Sequence, residues 1–246
     1  MTDTVLFDLG NTRLKYASLR EDGRCGEAFA IAHDGAALPA GWDAALPARF
    51  EVAALTSVAA PALRVALLDA LTARCARISI ARTVPRCGDL RIAYPQPDAL
   101  GTDRFLAMLG ARARGRAPWL VVGIGTAITL DLIDGDGLHR GGRIAASPAL
   151  MREALHARAA QLPERGGAFA AFADNTADAL RSGCDGAALA LIERSRRDAT
   201  ELLGADPALL LHGGGVDALG IALPADAVRA QALVLEGLAA WARMPA

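Results

Sequence analysis

Lysine is almost absent from this chain: Lys15 is the single one in 246 residues, and every other member of the 26 Lys+Arg is an arginine. Cysteine is sparse too, and Cys25, Cys75, Cys87 and Cys184 form no CxxC pair, which argues against a disulfide framework. His33, His139, His156 and His212 have no metal-ligand spacing with each other or with the cysteines, which argues against a zinc enzyme. No uncharged apolar run approaches the roughly 18 residues of a membrane span. Asp3 and Asp8 interrupt the opening, so it does not read as a secretory signal. With a formal net charge of −1, no strong field draws the chain to nucleic acid or to an anionic membrane. These absences point to a reducing cytoplasm and free thiols. A GxxxxGK[ST] loop is missing, and no GxGxxG follows a strand, so neither of those nucleotide folds applies.

What is present is a pair of similar turns. Thr4 to Asp8 reads as a buried strand and Arg13 to Leu19 as its partner, joined through Gly10-Asn11-Thr12. Trp119 to Ile133 repeats the design as two apolar strands hinged at Gly123 to Thr126, which reads as an internal duplication. Between them lie a strand over Glu51 to Val58 ending in Thr-Ser, a helix opened by Pro61 and running to about Ala73, and a strand over Ile78 to Thr83. Arg20 to Phe50 reads as hairpins and loops, and Val84 to Ala99 as a proline-rich loop. Helices are expected over about Thr102–Gly115, Pro148–Ala160, Thr176–Arg197 and Ala232–Arg243, and a last buried strand over Ala208–His212 before Gly213-Gly214-Gly215. The fold class is α/β, and Gly110–Pro118 is the weakest point for a boundary.

Three features carry chemistry. In Asp8-x-Gly10-Asn11-Thr12, Gly10 allows a positive-φ turn and close approach of the backbone to an anion, successive N–H groups of such a turn form an anion nest, and Asn11 and Thr12 add donors. Asp8 cannot face a polyphosphate without a cation between, and Mg²⁺ is the natural one. Lys15 follows, a compact ammonium where an arginine-biased chain would be expected to carry arginine. An Asx-type hairpin with no ligand would look the same locally. In Gly101-Thr102-Asp103-Arg104, Asp103 is either a helix-capping acid, which the tetrapeptide alone favours, or a general base for a substrate hydroxyl. Arg104 would then clamp a carboxylate or phosphate. Gly125-Thr126-Ala127-x-Thr129 is a second phosphate-type turn or an ordinary hairpin.

In this order and spacing the chain resembles the type III pantothenate kinases. The resemblance rests on Asp8 to Thr12 with Lys15, on Tyr94-Pro-Gln-Pro-Asp-Ala-Leu-Gly101-Thr-Asp-Arg104, and on Gly125-Thr-Ala-Ile-Thr129. It continues through Gly141-Gly-Arg-Ile144, Asn175-Thr176 with Ser182-Gly183, and Gly213-Gly214. It implies two ribonuclease H-like halves, residues 1–114 and 115–246, of the acetate-and-sugar-kinase, heat-shock chaperone and actin superfamily, with a nucleotide in a central cleft. It implies ATP-dependent phosphorylation of pantothenate, the first step toward coenzyme A. By this likeness Asp8, Leu9, Gly10, Asn11, Thr12, Arg13, Leu14 and Lys15 hold ATP with Mg²⁺, and Thr126 joins them. Tyr94, Gly101, Thr102, Asp103 and Arg104 line the pantothenate site, with Asp103 as proton acceptor. Thr176 reaches pantothenate across a homodimer interface.

The chain departs from the family pattern in three places. Gly123 stands where an acidic ligand for a monovalent cation (K⁺ or NH₄⁺) is usual, Ala145 to Ser147 replace a Pro-Gly, and His212 replaces a small hydroxyl residue. Two other readings stay open: a kinase of another hydroxylated substrate on the same fold, and a catalytically silent accessory or regulatory protein.

Overall fold

The computed structural model describes residues 3–219 and 223–244. The chain divides into two units, each with its own sheet and core. One runs to Arg116 and includes 136–139 and the segment from Ala232 on; the other comprises Ala117–Gly135 and Arg140–Gln231. The chain therefore crosses between units at 116/117, and its C-terminal helix joins the first unit.

The first unit is built on a five-stranded sheet of order β3-β2-β1-β4-β5. Its strands are β1 (Thr4–Leu9), β2 (Arg13–Ser18), β3 (Phe29–Ala32), β4 (Phe50–Ser57) and β5 (Cys75–Ile80). β1, β2 and β3 form an antiparallel meander, while β1, β4 and β5 run parallel. β1 and β4 are near-continuous apolar runs because helices cover both faces of the sheet. One face (Val5, Phe7, Leu9, Leu14, Tyr16, Ala53, Leu55) packs on α1 (Pro61–Thr72). Leu63, Leu67 and Leu71 of α1 recur every four residues and are fully buried, each contributing about 1.5–3 kcal/mol. Against the strands β1 and β4 also lie α2 (Thr102–Arg114) and α6 (Leu233–Ala242).

α2 and α6 cross closely because Gly110 and Gly237 remove their side chains at the contact. A Cβ on Gly237 would sit 1.7 Å from the Leu106 carbonyl oxygen, and one on Gly110 would sit 2.5 Å from that of Leu233. Backbone cannot swing aside as a flexible side chain can. Gly237→Ala should therefore destabilise the chain by about 1–3 kcal/mol or more and lower its melting temperature by roughly 5–10 °C. Gly186, in a helix with nothing within 4 Å of its virtual Cβ, is the control: Gly186→Ala should leave stability unchanged or raise it by about 0.5–1 kcal/mol. Equal melting temperatures for the two variants would contradict the close crossing.

The second unit repeats the topology. Its sheet has the order β10-β9-β8-β11-β12. The strands are β8 (Trp119–Ile124), β9 (Ala127–Ile133), β10 (His139–Ala146), β11 (Ala208–His212) and the short β12 (Val228–Arg229). Again the first two are an antiparallel hairpin, and again the first strand runs parallel to its other neighbour. Leu120, Val122, Ile124, Ile128, Leu130, Leu209 and Leu211 form a core with Ala188 and Ile192 of α4 (Thr176–Leu203). Asn175 caps α4 by accepting from the Asp178 N–H at 3.0 Å, and Gly204 ends it at φ 68°, the left-handed stop that glycine permits. The remaining elements are α3 (Pro148–Arg158), α5 (Val216–Leu219) and the two-residue hairpin β6 (Arg86–Cys87) and β7 (Leu90–Arg91).

Several elements differ from the sequence expectations. β5 begins at Cys75 rather than Ile78, because Cys75 pairs with Phe50 and fixes the register. α4 continues past Arg197 to Leu203, because burial of Ser195 and Ala199 extends its core-facing stripe to the glycine stop. The hairpins and loops expected over Arg20–Phe50 include the strand β3, paired antiparallel with β2; the loop expected over Val84–Ala99 holds the β6–β7 hairpin, and the glycine-bearing stretch after His139 is the strand β10. Among the described residues, no helix is long and apolar enough to cross a membrane.

Candidate active site

In the first unit the candidate side chains gather at the carboxyl end of β1. Asp8 pairs with Lys15 on β2 and with Thr56 on β4, so all three project from one face of the sheet. The turn beyond is closed by the Gly10 N–H donating to the Arg13 carbonyl at 3.0 Å, which leaves Asn11 and Thr12 exposed; Gly10 does not take the positive φ expected of it. Leu9 and Leu14, expected in the ATP-binding run, are 0% exposed, so their side chains belong to the core and are closed to a ligand. His33 braces the turn. Its Nε2–H donates to the Gly10 carbonyl at 3.0 Å, while its Nδ1 accepts from the Gly35 N–H at 3.1 Å. The His33 N–H also donates to the Thr12 carbonyl at 3.1 Å.

Burial pushes the Asp8 carboxyl up to about 6; Lys15 pulls it back down, and the charge of Asp103 raises it again. Asp103 thus lies within electrostatic reach of Asp8. It sits in the first turn of α2, where Oδ1 accepts from the Arg104 N–H at 2.9 Å. The same oxygen would lie 2.7 Å from a Cβ on Gly101, so only glycine leaves the carboxylate in this position. Arg104 is 7% exposed. It donates to the Tyr94 hydroxyl at 3.3 Å, with its guanidinium carbon 5.9 Å from the centre of the Tyr94 ring. The other partner of Tyr94 is His139, stacked at 5.8 Å and itself fully buried. Thr102 is half-buried beside them.

Three contributors escaped the sequence reading. His33 and His139 are far in sequence from Gly10 and Tyr94, and no local pattern announces them. Thr56 carried a signal, the polar Thr-Ser ending of an apolar strand. Its hydroxyl is buried next to Asp8 without a hydrogen-bond partner.

In the second unit, Gly125 and Thr126 form an exposed turn closed by the Gly125 N–H donating to the Ala127 carbonyl at 2.9 Å. The late glycines meet it: the Gly215 N–H donates to the Ile124 carbonyl at 2.9 Å. Gly213 adopts φ 99°, and a Cβ there would lie 2.3 Å from the same carbonyl oxygen. Beside this corner is a cavity of about 230 Å³ lined by Ile124, Gly125, Ser147, Arg152, Arg181 and Gly215, among others. Arg181 is held by Asp185 at 3.3 Å and by the Gly167 carbonyl at 2.9 Å, whereas Arg152 Nε is buried without a hydrogen-bond partner. The donors around this cavity are chemically suited to phosphates and a sugar. Thr176 is exposed at the start of α4.

Among the described residues, no group of three or more His, Cys, Asp or Glu side chains could hold a metal ion by itself. Asp8 fits the other arrangement, a divalent ion brought in on substrate phosphates and met by a single carboxylate. The monovalent site of the family pattern does not fit. Gly123 has no carboxylate, and a Cβ there would lie 2.7 Å from Thr129 Oγ1 and 2.8 Å from His212 Nε2. Asp131 shares that sheet face but lies one step further from the turn, opposite Val121, and is buried.

Two sheets of one strand order, each with a glycine turn after its first strand, give the two-sheet α/β fold expected of the acetate-and-sugar-kinase, heat-shock chaperone and actin superfamily. Solved structures share it. A conserved Campylobacter jejuni protein assigned by name to the Baf family of transcriptional activators matches with a TM-score of 0.59 at 20% identity, covering 95% of this chain and 94% of its own. A Sinorhizobium meliloti protein assigned as a 2-dehydro-3-deoxygalactonokinase matches with a TM-score of 0.55 at 17% identity, covering 98% of each chain. At those identities the likeness is one of fold. The family model of the type III pantothenate kinases matches residues 4–198. The type III pantothenate kinase of Stenotrophomonas maltophilia strain K279a is 54% identical over 237 residues, 96% of both chains. This chain belongs to the type III pantothenate kinases.

Proposed function

We infer that the chain transfers the γ-phosphoryl group of ATP to the primary hydroxyl of pantothenate, giving 4'-phosphopantothenate at the first step of coenzyme A synthesis. The observation that carries the reading is the Asp8–Asp103 pair with Arg104 and Tyr94 at one strand end. Asp103 takes the proton of the attacking hydroxyl as the new O–P bond forms and the bond from the γ-phosphorus to the β–γ bridging oxygen breaks. ADP leaves with that oxygen. Most of the work is positioning and charge neutralisation, since the transferred group needs little covalent help. The N–H groups and side chains of Asn11 and Thr12, with Lys15, supply donors to phosphate, Thr126 supplies a second set, and Asp8 would meet Mg²⁺ carried in on the nucleotide. That ion, when bound, neutralises phosphate charge.

Arg104 and Tyr94 recognise the carboxylate and hydroxyls of pantothenate. Arg104→Lys keeps the charge but loses the fork and the packing on Tyr94. It should raise the pantothenate KM about tenfold with a smaller effect on kcat. An unchanged KM would remove Arg104 from the binding role. The division into ribonuclease H-like halves follows the repeated sheet topology. A homodimer in which Thr176 reaches the partner's pantothenate is supported by the apolar surface just before it: Phe172 is 99% exposed and Phe169 51%. A cytoplasmic setting suits four free thiols. The test is a coupled assay with ATP, Mg²⁺ and pantothenate. ADP formation should depend on pantothenate and yield its phosphate ester; ADP formation indifferent to pantothenate would contradict the reading.

A further inference from the structure

The second unit holds a guanidinium whose buried nitrogen has nothing to bond. Arg152 lies one turn into α3, and its Nε is buried without a hydrogen-bond partner. Leaving such a donor unsatisfied costs stability, so packing alone does not account for it. The same side chain lines the cavity of about 230 Å³ beside the Gly125 and Gly215 corner. That wall carries three arginines, Arg152, Arg165 and Arg181, against one carboxylate, Asp185. Asp185 is already met by Arg181 at 3.3 Å, and Arg181 is engaged by the Gly167 and Ala218 carbonyls as well, at 2.9 and 3.4 Å. Arg165 has a side chain 90% exposed and pairs loosely with Glu164 at 3.9 Å. Arg152 is the one of the three left to meet a ligand. The N-terminal end of α3, eleven residues long, adds Ser147, Pro148 and Ala149 to the same wall. Ser147 is buried, and its Oγ accepts from the Leu150 N–H at 3.2 Å, which leaves the hydroxyl proton to donate. The positive end of the helix and the guanidinium thus address one space. The cavity is smaller than the about 300–1,000 Å³ that a whole ligand of drug size occupies, so it takes a group of a larger molecule. Its lining makes that group an anion.

We propose that Arg152 is a nucleotide-binding residue whose guanidinium holds a phosphate of ATP in this cavity, a role that rests on the reading of the chain as an ATP-dependent kinase. The corner needs a side-chain cation. The Gly125 and Gly215 N–H groups are closed on the Ala127 and Ile124 carbonyls, each at 2.9 Å, and offer a phosphate no donor. A guanidinium presents its N–H groups in one plane, the shape that meets two phosphate oxygens side by side. A phosphate seated there gives the buried Nε its missing partner, so the stability lost in the free protein returns as affinity for the nucleotide.

Nucleotide binding to the full chain tests this apart from turnover. Calorimetry with Mg²⁺-ADP should show an affinity about tenfold or more weaker in Arg152→Met, which keeps the aliphatic stem and removes the charged donor. Arg152→Lys, with the charge but not the fork, should recover part of the loss. Without nucleotide, Arg152→Met should melt no lower than wild type, since it orphans no partner; with Mg²⁺-ADP it should gain less than wild type gains. A purely structural role predicts the reverse, a lower melt with affinity unchanged. Inorganic pyrophosphate, the same anion without its nucleoside, should bind more weakly than ADP and lose affinity in the same variant. Arg152→Met that binds ADP as tightly as wild type overturns the proposal. Pyrophosphate that binds wild type as tightly as ADP does overturns the nucleotide as the occupant, in favour of free phosphate. Should Arg152→Met fail to fold, Arg152→Lys decides: about threefold weaker binding is expected, and wild-type affinity overturns the proposal. Wild-type protein that binds ADP through Arg152 yet forms no phosphopantothenate would instead overturn the kinase reading and leave the phosphate site standing.

Discussion

Asp103→Asn is expected to lower kcat about a hundredfold or more while the chain stays folded and still binds both substrates. The amide has almost the same shape as the carboxylate, so the contact over Gly101 survives. What it cannot do is take a proton. The capping role that the tetrapeptide favours on its own predicts the opposite pattern: a loss of helix stability of about 1 kcal/mol, with turnover nearly untouched. The N-cap residue of α2 is Gly101, which has no side chain with which to cap, and the Asp103 carboxylate turns back toward Arg104 and Gly101. Steady-state kinetics together with a thermal melt separate the two roles.

Asp8→Asn is expected to make the free protein more stable and a far poorer enzyme. In the unfolded chain Asp8 titrates near its ordinary 3.8; in the folded chain burial raises it to about 6. Between those values the folded chain holds a proton that the unfolded chain has released. Stability from this group therefore falls as pH rises from about 4 to about 6, and above that the folded state carries the full cost of an ionised, half-buried carboxylate. That cost is at most about 3 kcal/mol. Removing it should raise the melting temperature by roughly 2–8 °C near pH 7.5 and leave it unchanged near pH 4. Mg²⁺-ATP, which gives the carboxylate a cation to face, should stabilise wild type more than the variant. Turnover should fall by about a hundredfold or more through loss of the group that meets the metal. An Asp8→Asn protein with wild-type activity, or one less stable than wild type near pH 7.5, would contradict this account.

The two glycine turns were legible in the sequence because their signals are local. A carboxylate, a glycine and two hydrogen-bonding residues at the end of an apolar run leave few alternatives, and the same is true of Gly125-Thr126. The repeated strand–turn–strand pattern likewise gave the internal duplication, now visible as two sheets of one strand order. The outer strands β3 and β10 were not legible. β3 is a four-residue, largely exposed segment whose only reason to be extended is its ladder with β2. β10 contains Gly141 at φ 112° and mostly exposed residues, so neither burial nor propensity marks it. The supporting residues were lost for a related reason. His33 under the Gly10 carbonyl and His139 under Tyr94 work through contacts that exist only once the chain has folded. The close approach of His212 to Gly123 was half legible. Each stood out alone as a departure from the family pattern, but only the adjacency of β8 and β11 makes them one feature.

The most direct test of the account is a rapid-quench, single-turnover experiment with γ-labelled ATP, Mg²⁺ and pantothenate. Wild-type protein should move the label into phosphopantothenate. The Asp103→Asn protein, saturated with both substrates, should do so about a hundredfold or more slowly, which places the defect in the transfer step. Label appearing in the ester at the wild-type rate in that variant would show that proton removal lies elsewhere and that Asp103 does not act on the reacting hydroxyl.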